Sequence, residues 1–298
     1  MKAMRVHLRN GAQTFVMENV RDPVPTQGQV LVRVHATAVM PTELRWPTTW
    51  RTFDGQPRPS PILGHEFSGV VAAVGSGVTG VREGEAVYGL NGWDQDGAEA
   101  EYVLVSSTGL APKPRSISHA EAAVVPISAL TAWQALVDRA HIVKGQRVLI
   151  HGGAGGVGSF AIQIARNHGA HVITTISARN ANFVRELGAD EVIDYKTTRF
   201  ERVTGDLDVV LDIAGGETLE LSKRLLKPEG RLLTVATDSS KSEYFFYVEP
   251  NRVELVEIAR LIDSGKLRPI VDDVVPLERA AEAYQRNPGR GKIALQVT

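Results

Sequence analysis

The run His151-Gly152-Gly153-Ala154-Gly155-Gly156-Val157-Gly158 constrains this chain more than any other stretch. It follows RVLIH, an apolar run of strand length, and precedes SFAIQIARNHG, whose apolar residues recur at helical spacing. In that setting Gly153, Gly155 and Gly158 satisfy GxGxxG: a tight turn, close backbone approach to a pyrophosphate, and close packing of helix on strand. The helix start then offers free N–H groups and the positive dipole end to phosphates. The motif reads as dinucleotide binding; the plain alternative is a glycine turn that serves chain geometry alone. Strands and helices keep alternating beyond it, through HVITTI, RNANFVRELG, EVIDY, DVVLDIA, a helix over Leu219 to Leu226, and GRLLTVA after a Lys227-Pro228-Glu229-Gly230 turn. The expected fold class is α/β, a doubly wound parallel sheet with helices on both faces.

The texture before this region is different. Val30 to Val34, Ser68 to Val74, Ala86 to Tyr88 and Glu101 to Val105 have strand patterns separated by Gly and Pro, which predicts a β-rich unit. Ser118-His119-Ala120-Glu121 fits a capping box, and Ala129 to Ala140 has helical spacing. Glu254 to Gly265 reads as a helix and KIALQV as a closing strand. The expected division is a β-rich domain over 1–115, completed by 266–298, and a nucleotide domain over 116–265. The 33 basic and 34 acidic residues nearly cancel, so no broad field draws in nucleic acid or an anionic membrane, and a small-molecule partner is expected. No run approaches the roughly 20 apolar residues of a membrane span, and MKAMRVHLRNG lacks a signal-peptide core; the expected location is cytoplasmic. The absence of cysteine excludes thiol catalysis and every cysteine-containing zinc site.

The choice of nucleotide is read about 20 residues beyond the glycines, where NAD-binding chains place an acidic residue on the ribose. Here HVITTI ends in Ser177-Ala178-Arg179-Asn180, with no carboxylate. A hydroxyl and a guanidinium suit a 2′-phosphate, so the expected cofactor is NADPH. The alternative makes Arg179 a solvated residue opening the next helix.

GHEFSGVV, GAEAEYV, AVVPISALTAWQAL, HGGAGGVGSFAIQIAR, LGADEVIDY, KPEGRLLTV and GRGKIALQV, in this order along nearly the whole chain, resemble the medium-chain dehydrogenase/reductase superfamily, and within it the zinc-independent NADPH-dependent quinone oxidoreductase branch. The resemblance implies a Rossmann domain inserted into a GroES-like β-rich catalytic domain, an active site between them, and a homodimer. It places the cofactor against Gly153, Gly155, Gly156, Val157 and Gly158, the 2′-phosphate near Ser177, Arg179 and Tyr195, and the nicotinamide against Thr131. Ile213, Ala214, Val235 and Ala236 fall where relatives touch the cofactor; each also fits ordinary strand-end packing. The sequence departs from the pattern at Met40-Pro41-Thr42-Glu43, in the loop expected to line the substrate cleft. Trp46, Trp50 and Trp93 are candidates for an aromatic wall there, or for plain packing.

In zinc-bearing relatives the histidine of Gly64-His65-Glu66 is a metal ligand. One imidazole is not a site, because catalytic zinc normally takes three protein ligands. His65 and Glu66 are therefore expected to be structural, with the histidine satisfied by hydrogen bonds. Without an electrophilic ion, alcohol oxidation loses its main aid, whereas quinones and α,β-unsaturated carbonyl compounds already accept hydride at a conjugated carbon. The expected activity is hydride transfer from NADPH to such an acceptor. The alternatives are a zinc-free alcohol dehydrogenase-like enzyme and an NADPH-binding sensor without turnover. Spacing does not choose a proton donor among Tyr102, Tyr247 and Lys292, and Lys292 reads most simply as a surface charge at a strand start.

Overall fold

The computed structural model describes residues 1–9, 11–236 and 241–298. The chain opens with an antiparallel hairpin, β1 (Lys2–Arg9) and β2 (Ala12–Asn19). β3 (Gln29–Ala38) follows, then a 3-10 turn over Pro41–Arg45 and the single turn α1 (Pro47–Trp50). The strands β4 (Glu66–Val74), β5 (Ala86–Leu90), β6 (Tyr102–Ser106) and β7 (Leu110–Pro112) complete this part. β3 alternates buried apolar Val30, Val32 and Val34 with less buried residues, the period-2 pattern of a strand with one face on a core.

Two helices lead onward. α2 (His119–Ala123) starts in the expected capping box, with the Ser118 hydroxyl accepting from the Glu121 amide and the Glu121 carboxylate accepting from the Ser118 amide. α3 (Pro126–Trp133) has Pro at its first position, where no N–H is needed. The expected uniform helix to Ala140 is interrupted. Residues Gln134–Arg139 widen into a π turn, closed by the Ala140 amide donating to the Ala135 carbonyl at 2.9 Å.

The alternating segment then runs β8 (Arg147–His151), α4 (Gly156–Asn167), β9 (His171–Ile176), α5 (Ala181–Leu187), β10 (Glu191–Asp194), β11 (Leu207–Asp212), α6 (Glu217–Lys223) and β12 (Leu226–Thr234). Its five parallel strands lie in the order β10-β9-β8-β11-β12. The order reverses between β8 and β11, which makes the carboxyl end of β8 the topological switch point where open α/β sheets take ligands. Lys227-Pro228-Glu229-Gly230, expected as a turn, lies inside β12, where a register shift against β11 absorbs the irregularity.

After α7 (Arg252–Asp263) the chain returns to the first sheet. β13 (Val271–Pro276) and, after α8 (Ala280–Gln285), β14 (Lys292–Gln296) extend it, giving a seven-stranded sheet in which β14 pairs antiparallel with β3. The two units share a core. Tyr88 and Leu90 of β5 are buried with Val125 and Leu130 near α3 and Leu255 of α7, and the Tyr88 hydroxyl donates to the Leu255 carbonyl at 2.6 Å. No helix among the described residues is long and apolar enough to cross a membrane.

Candidate active site

β8 delivers the glycine turn to the switch point. Its last residue, His151, is buried, with Nδ1 2.9 Å from the Thr175 hydroxyl and Nε2 2.9 Å from the Ser222 hydroxyl; burial holds its pKa down to about 4. The imidazole is a neutral strut under the turn. A Cβ on Gly153 would stand 2.1 Å from the Thr174 hydroxyl, and one on Gly158 only 2.3 Å from the Gly152 carbonyl oxygen. These two glycines let α4 press against the turn. Gly155 caps α4 and is exposed, with nothing nearer to a Cβ than 3.5 Å, so its backbone is open to a ligand. The first amides of α4, Gly156, Val157 and Gly158, have no acceptor within the helix. Gly156 rests on the Ser128 hydroxyl and the Lys292 stem, and the Ser128 hydroxyl is buried without a hydrogen-bond partner among the described residues. An open cradle beside an orphaned hydroxyl fits a nicotinamide dinucleotide.

The other expected cofactor residues lie around this cradle. Thr131 stands one helical turn from Ser128 on α3, buried, its hydroxyl donating to the Ile127 carbonyl at 2.6 Å. The two oxygens share a helix face, and Ser128 is the one that sequence reasoning missed. Ile213 lies 4.0 Å from where a Gly152 Cβ would be. The Asp212 carboxylate shapes the loop after β11 by accepting from the amides of Ala214 and Gly215, and the Val235 amide returns to the Asp212 carbonyl at 3.3 Å. Ile213, Ala214, Val235 and Ala236 thus gather at the ends of β11 and β12. Ser177 follows β9, and the Tyr195 amide donates to the neighbouring Ile176 carbonyl at 3.1 Å, which brings Ser177, Arg179 and Tyr195 to one sheet corner. Arg179 lines a cavity of about 350 Å³ with Asn180, Asp272, Gly289 and Arg290. Arg290 comes from the C-terminal tail, fixed by its contact with the Asn180 side chain at 3.1 Å and by stacking on Phe183.

The tail also touches the glycine turn itself, because the Gly291 amide donates to the Ala154 carbonyl at 2.9 Å. Lys292 follows. It is buried, not a surface charge as the sequence suggested, and its ammonium pairs with the Glu66 carboxylate, whose other oxygen accepts from the Ile127 amide at 2.9 Å. Glu66 thereby ties β4, β14 and the first turn of α3 together. Burial raises its pKa, and the Lys292 charge opposes that rise.

Beside Glu66, the His65 ring contacts two tryptophans. Trp46 lies parallel at 6.4 Å and Trp93 edge-on at 5.3 Å, while the Trp93 indole N–H donates to the Val248 carbonyl at 3.1 Å. Trp50 is elsewhere, in the core under β1, its N–H bonded to Leu44. His65 is not fully satisfied as expected. Nε2 lies 3.3 Å from a Glu43 oxygen, but Nδ1 has no partner among the described residues. Of the three candidate proton donors, Tyr247 is exposed, Tyr102 is paired opposite Arg33 in the outer sheet, and Lys292 is held by Glu66.

Two further buried acids lie near His65. Glu43 accepts from the Gly64 amide, and burial raises its pKa well above the usual carboxylate range, with that amide, Lys292 and Arg58 opposing the rise. Glu99 accepts from the Tyr284 hydroxyl at 2.7 Å and is pushed up to about 8 by burial. The folded state therefore holds a proton on Glu99 that the unfolded chain, near 4.5, releases. That contribution is complete below pH 4.5 and is lost as pH rises toward 8. Thermal melts should show wild-type stability falling relative to Glu99→Gln by about 3–5 kcal/mol between pH 5 and 8; parallel curves would remove the claim.

The chain matches the family description "Alcohol dehydrogenase GroES-like domain" over residues 26–115 and "Zinc-binding dehydrogenase" over 187–295. The zinc in that second description has no fitting donor set, since His65 meets only Glu43 and no group of three His, Cys, Asp or Glu among the described residues is placed to hold an ion. The chain is 33% identical to the NADPH-dependent alkenal/one oxidoreductase of Arabidopsis thaliana, covering 99% of this chain and 79% of that one. It is 34% identical to the 2-methylene-furan-3-one reductase of Solanum lycopersicum, covering 89% and 70%. The quinone oxidoreductase structure from Coxiella burnetii superposes with a TM-score of 0.88 at 31% identity, covering 100% of this chain and 99% of that one. The sheet order, the glycine cradle and these likenesses agree: the chain belongs to the medium-chain dehydrogenase/reductase superfamily and is an oxidoreductase built for a nicotinamide cofactor.

Proposed function

We propose that the protein is an NADPH-dependent reductase that delivers hydride to a quinone or an α,β-unsaturated carbonyl compound without a metal ion. One observation carries the reading. α3 backs the glycine cradle with Ser128 and is tied through its Ile127 amide to Glu66, next to His65 and its tryptophans, so one rigid element sets cofactor and acceptor against each other. Bound in the cradle, the nicotinamide supplies the hydride; the protein aligns the partners and excludes water. A planar conjugated acceptor suits the Trp46 and Trp93 wall. The names of the tomato and Arabidopsis relatives support acceptors of this class. The test is oxidation of NADPH and NADH across quinones, enones and simple aldehydes with chelator present. Turnover should be confined to the conjugated acceptors and unaffected by chelator; chelator-sensitive turnover would overturn the metal-free reading.

NADPH preference is supported by the corner cavity, where Arg179 and Arg290 face one space and neither makes an ion pair among the described residues. Two guanidinium groups there suit a 2′-phosphate. Arg179→Ala and Arg290→Ala should each weaken NADPH binding by about 1.5–3 kcal/mol, the value of a charged hydrogen bond, and leave NADH nearly untouched. Equal losses for both nucleotides in titration calorimetry would count against the 2′-phosphate assignment.

A further inference from the structure

We propose that Ser60, His7 and Glu18 form a second reactive site, in which Ser60 takes an acyl group from a small neutral carboxylic ester. The site lies on the β1–β2 hairpin, away from the glycine turn, and does not depend on the reductase reading.

Strand register assembles it. Met4 and Val6 of β1 stand opposite Met17 and Phe15 of β2, and these four enter the core that holds Tyr284. Strand alternation then turns Arg5, His7 and Glu18 to the other face. On the far edge of β1 runs Pro59-Ser60-Pro61, where an antiparallel bridge between Arg5 and Ile62 puts Ser60 in register with His7. The Val6 amide donates to the Pro61 carbonyl at 3.0 Å and Arg5 Nε to the Ser60 carbonyl at 2.7 Å, so the backbone around the serine is fixed. His7 therefore sits between two neighbours. Its Nδ1 is 3.1 Å from the Ser60 hydroxyl and its Nε2 is 2.8 Å from a Glu18 oxygen.

The proton placement follows from Glu18. Desolvation pushes its pKa up, but contacts with His7 and Arg5 outweigh that and hold it below the ordinary value, so Glu18 is an anion that only accepts. Nε2 carries the ring proton, and in the neutral imidazole the Nδ1 lone pair faces the serine. This is the order of nucleophile, base and orienting acid that activates a hydroxyl. The group is also reachable. The His7 and Glu18 side chains are 20% and 30% exposed, Ser60 is half-buried, and Ser60 lines a cavity of about 340 Å³ with Arg5, Arg58, Asp94 and Asp96. Arg58 is fixed in that wall by the Thr48 and Gln95 carbonyls and by Asp96. Arg5 Nη2 makes no hydrogen bond among the described residues, which leaves a donor for a negative oxygen. Two arginines against two aspartates suit a neutral acyl group.

The atoms balance. As the Ser60 oxygen bonds to the acyl carbon, its proton passes to His7 Nδ1, and Glu18 offsets the imidazolium charge. The ester C–O bond breaks, and the departing alcohol oxygen takes that proton. Water deprotonated by His7 in the same way then releases the acid and restores the hydroxyl. No electrons change hands, so the step runs without nicotinamide.

The probe is p-nitrophenyl acetate. Wild-type protein without nucleotide should release a burst of nitrophenolate approaching one equivalent per chain, and peptide mass spectrometry of the quenched protein should place the acetyl group on Ser60. Ser60→Ala should abolish the burst and the adduct and cut turnover at least tenfold, and His7→Asn should slow acylation at least a hundredfold. Glu18→Gln keeps an acceptor for Nε2 but no charge, so it should lower the maximal acylation rate at least tenfold and leave the half-saturating ester concentration unchanged. NADPH oxidation by an enone should stay within twofold of wild type in all three. Acetyl groups on lysines with Ser60 unmodified, or wild-type turnover in Ser60→Ala, would overturn the proposal. Wild-type acylation in Glu18→Gln would refute the triad and reduce the network to a brace for the hairpin. If His7→Asn fails to fold, the Ser60→Ala comparison still decides.

Discussion

Lys292→Met should destabilise the protein by about 3–5 kcal/mol at neutral pH, the cost of leaving one member of a buried ion pair alone. The apolar stem that packs on Gly156 is largely kept in methionine, so the loss isolates the charge. Glu66 then faces only the Ile127 amide. Its remedy is protonation, so the penalty should shrink as the pH is lowered toward 5. Glu66→Gln combined with Lys292→Met should recover most of the stability, because the amide oxygen still accepts from Ile127. Denaturant melts of the two variants check this. A single variant as stable as wild type would mean that the pair is hydrated and that the junction of β4, β14 and α3 is held by packing alone.

Gly158→Ala should be nearly as costly and should also disable the cofactor site. The new methyl would lie 2.3 Å from the Gly152 carbonyl oxygen and 2.7 Å from the Gly153 Cα, both backbone atoms that cannot step aside without moving α4 off β8. Overpacking of this kind costs about 1–3 kcal/mol. Lifting the helix start also withdraws its amides from the pyrophosphate, so NADPH affinity should fall by roughly a hundredfold or more, about 3 kcal/mol. Gly155→Ala is the control. Its backbone, at φ −78°, accepts a side chain, and nothing protein-borne stands within 3.4 Å, so its melting temperature should stay put while binding weakens. Thermal melts paired with nucleotide titrations distinguish the two, and matching behaviour in both would show that the glycines serve the turn only.

What could be read from the chain alone was what depends on neighbours in sequence. The RVLIH strand, the glycine turn, the capping box at Ser118 and the apolar face of α4 are local patterns, and the structure shows each of them. The misreadings are non-local. Lys292 looked like a surface charge because its partner Glu66 is 226 positions away. Trp50 sits seven residues beyond the Met40 to Glu43 loop yet enters a different core, since α1 turns it toward Leu44. Gln134 has ordinary helix propensity, but its amide bridges Glu249 and Glu254, and the helix widens there. Glu43 on a polar loop gave no hint of burial; the nearest signal was the departure at Met40 to Glu43 from the family pattern. Arg290 met Arg179 only once the tail had crossed between domains.

That crossing has a consequence for the order of assembly. β4 lines one border of β3, and the other is filled by β6 over Gln29–Arg33 but by residues 294–296 over Ala36–Ala38. The Ala36–Ala38 stretch therefore waits for a segment that is made after the entire five-stranded nucleotide unit. Translation order and completion order are inverted for this part of the outer sheet, which leaves the growing polypeptide with a short unguarded strand border that a neighbouring copy can capture.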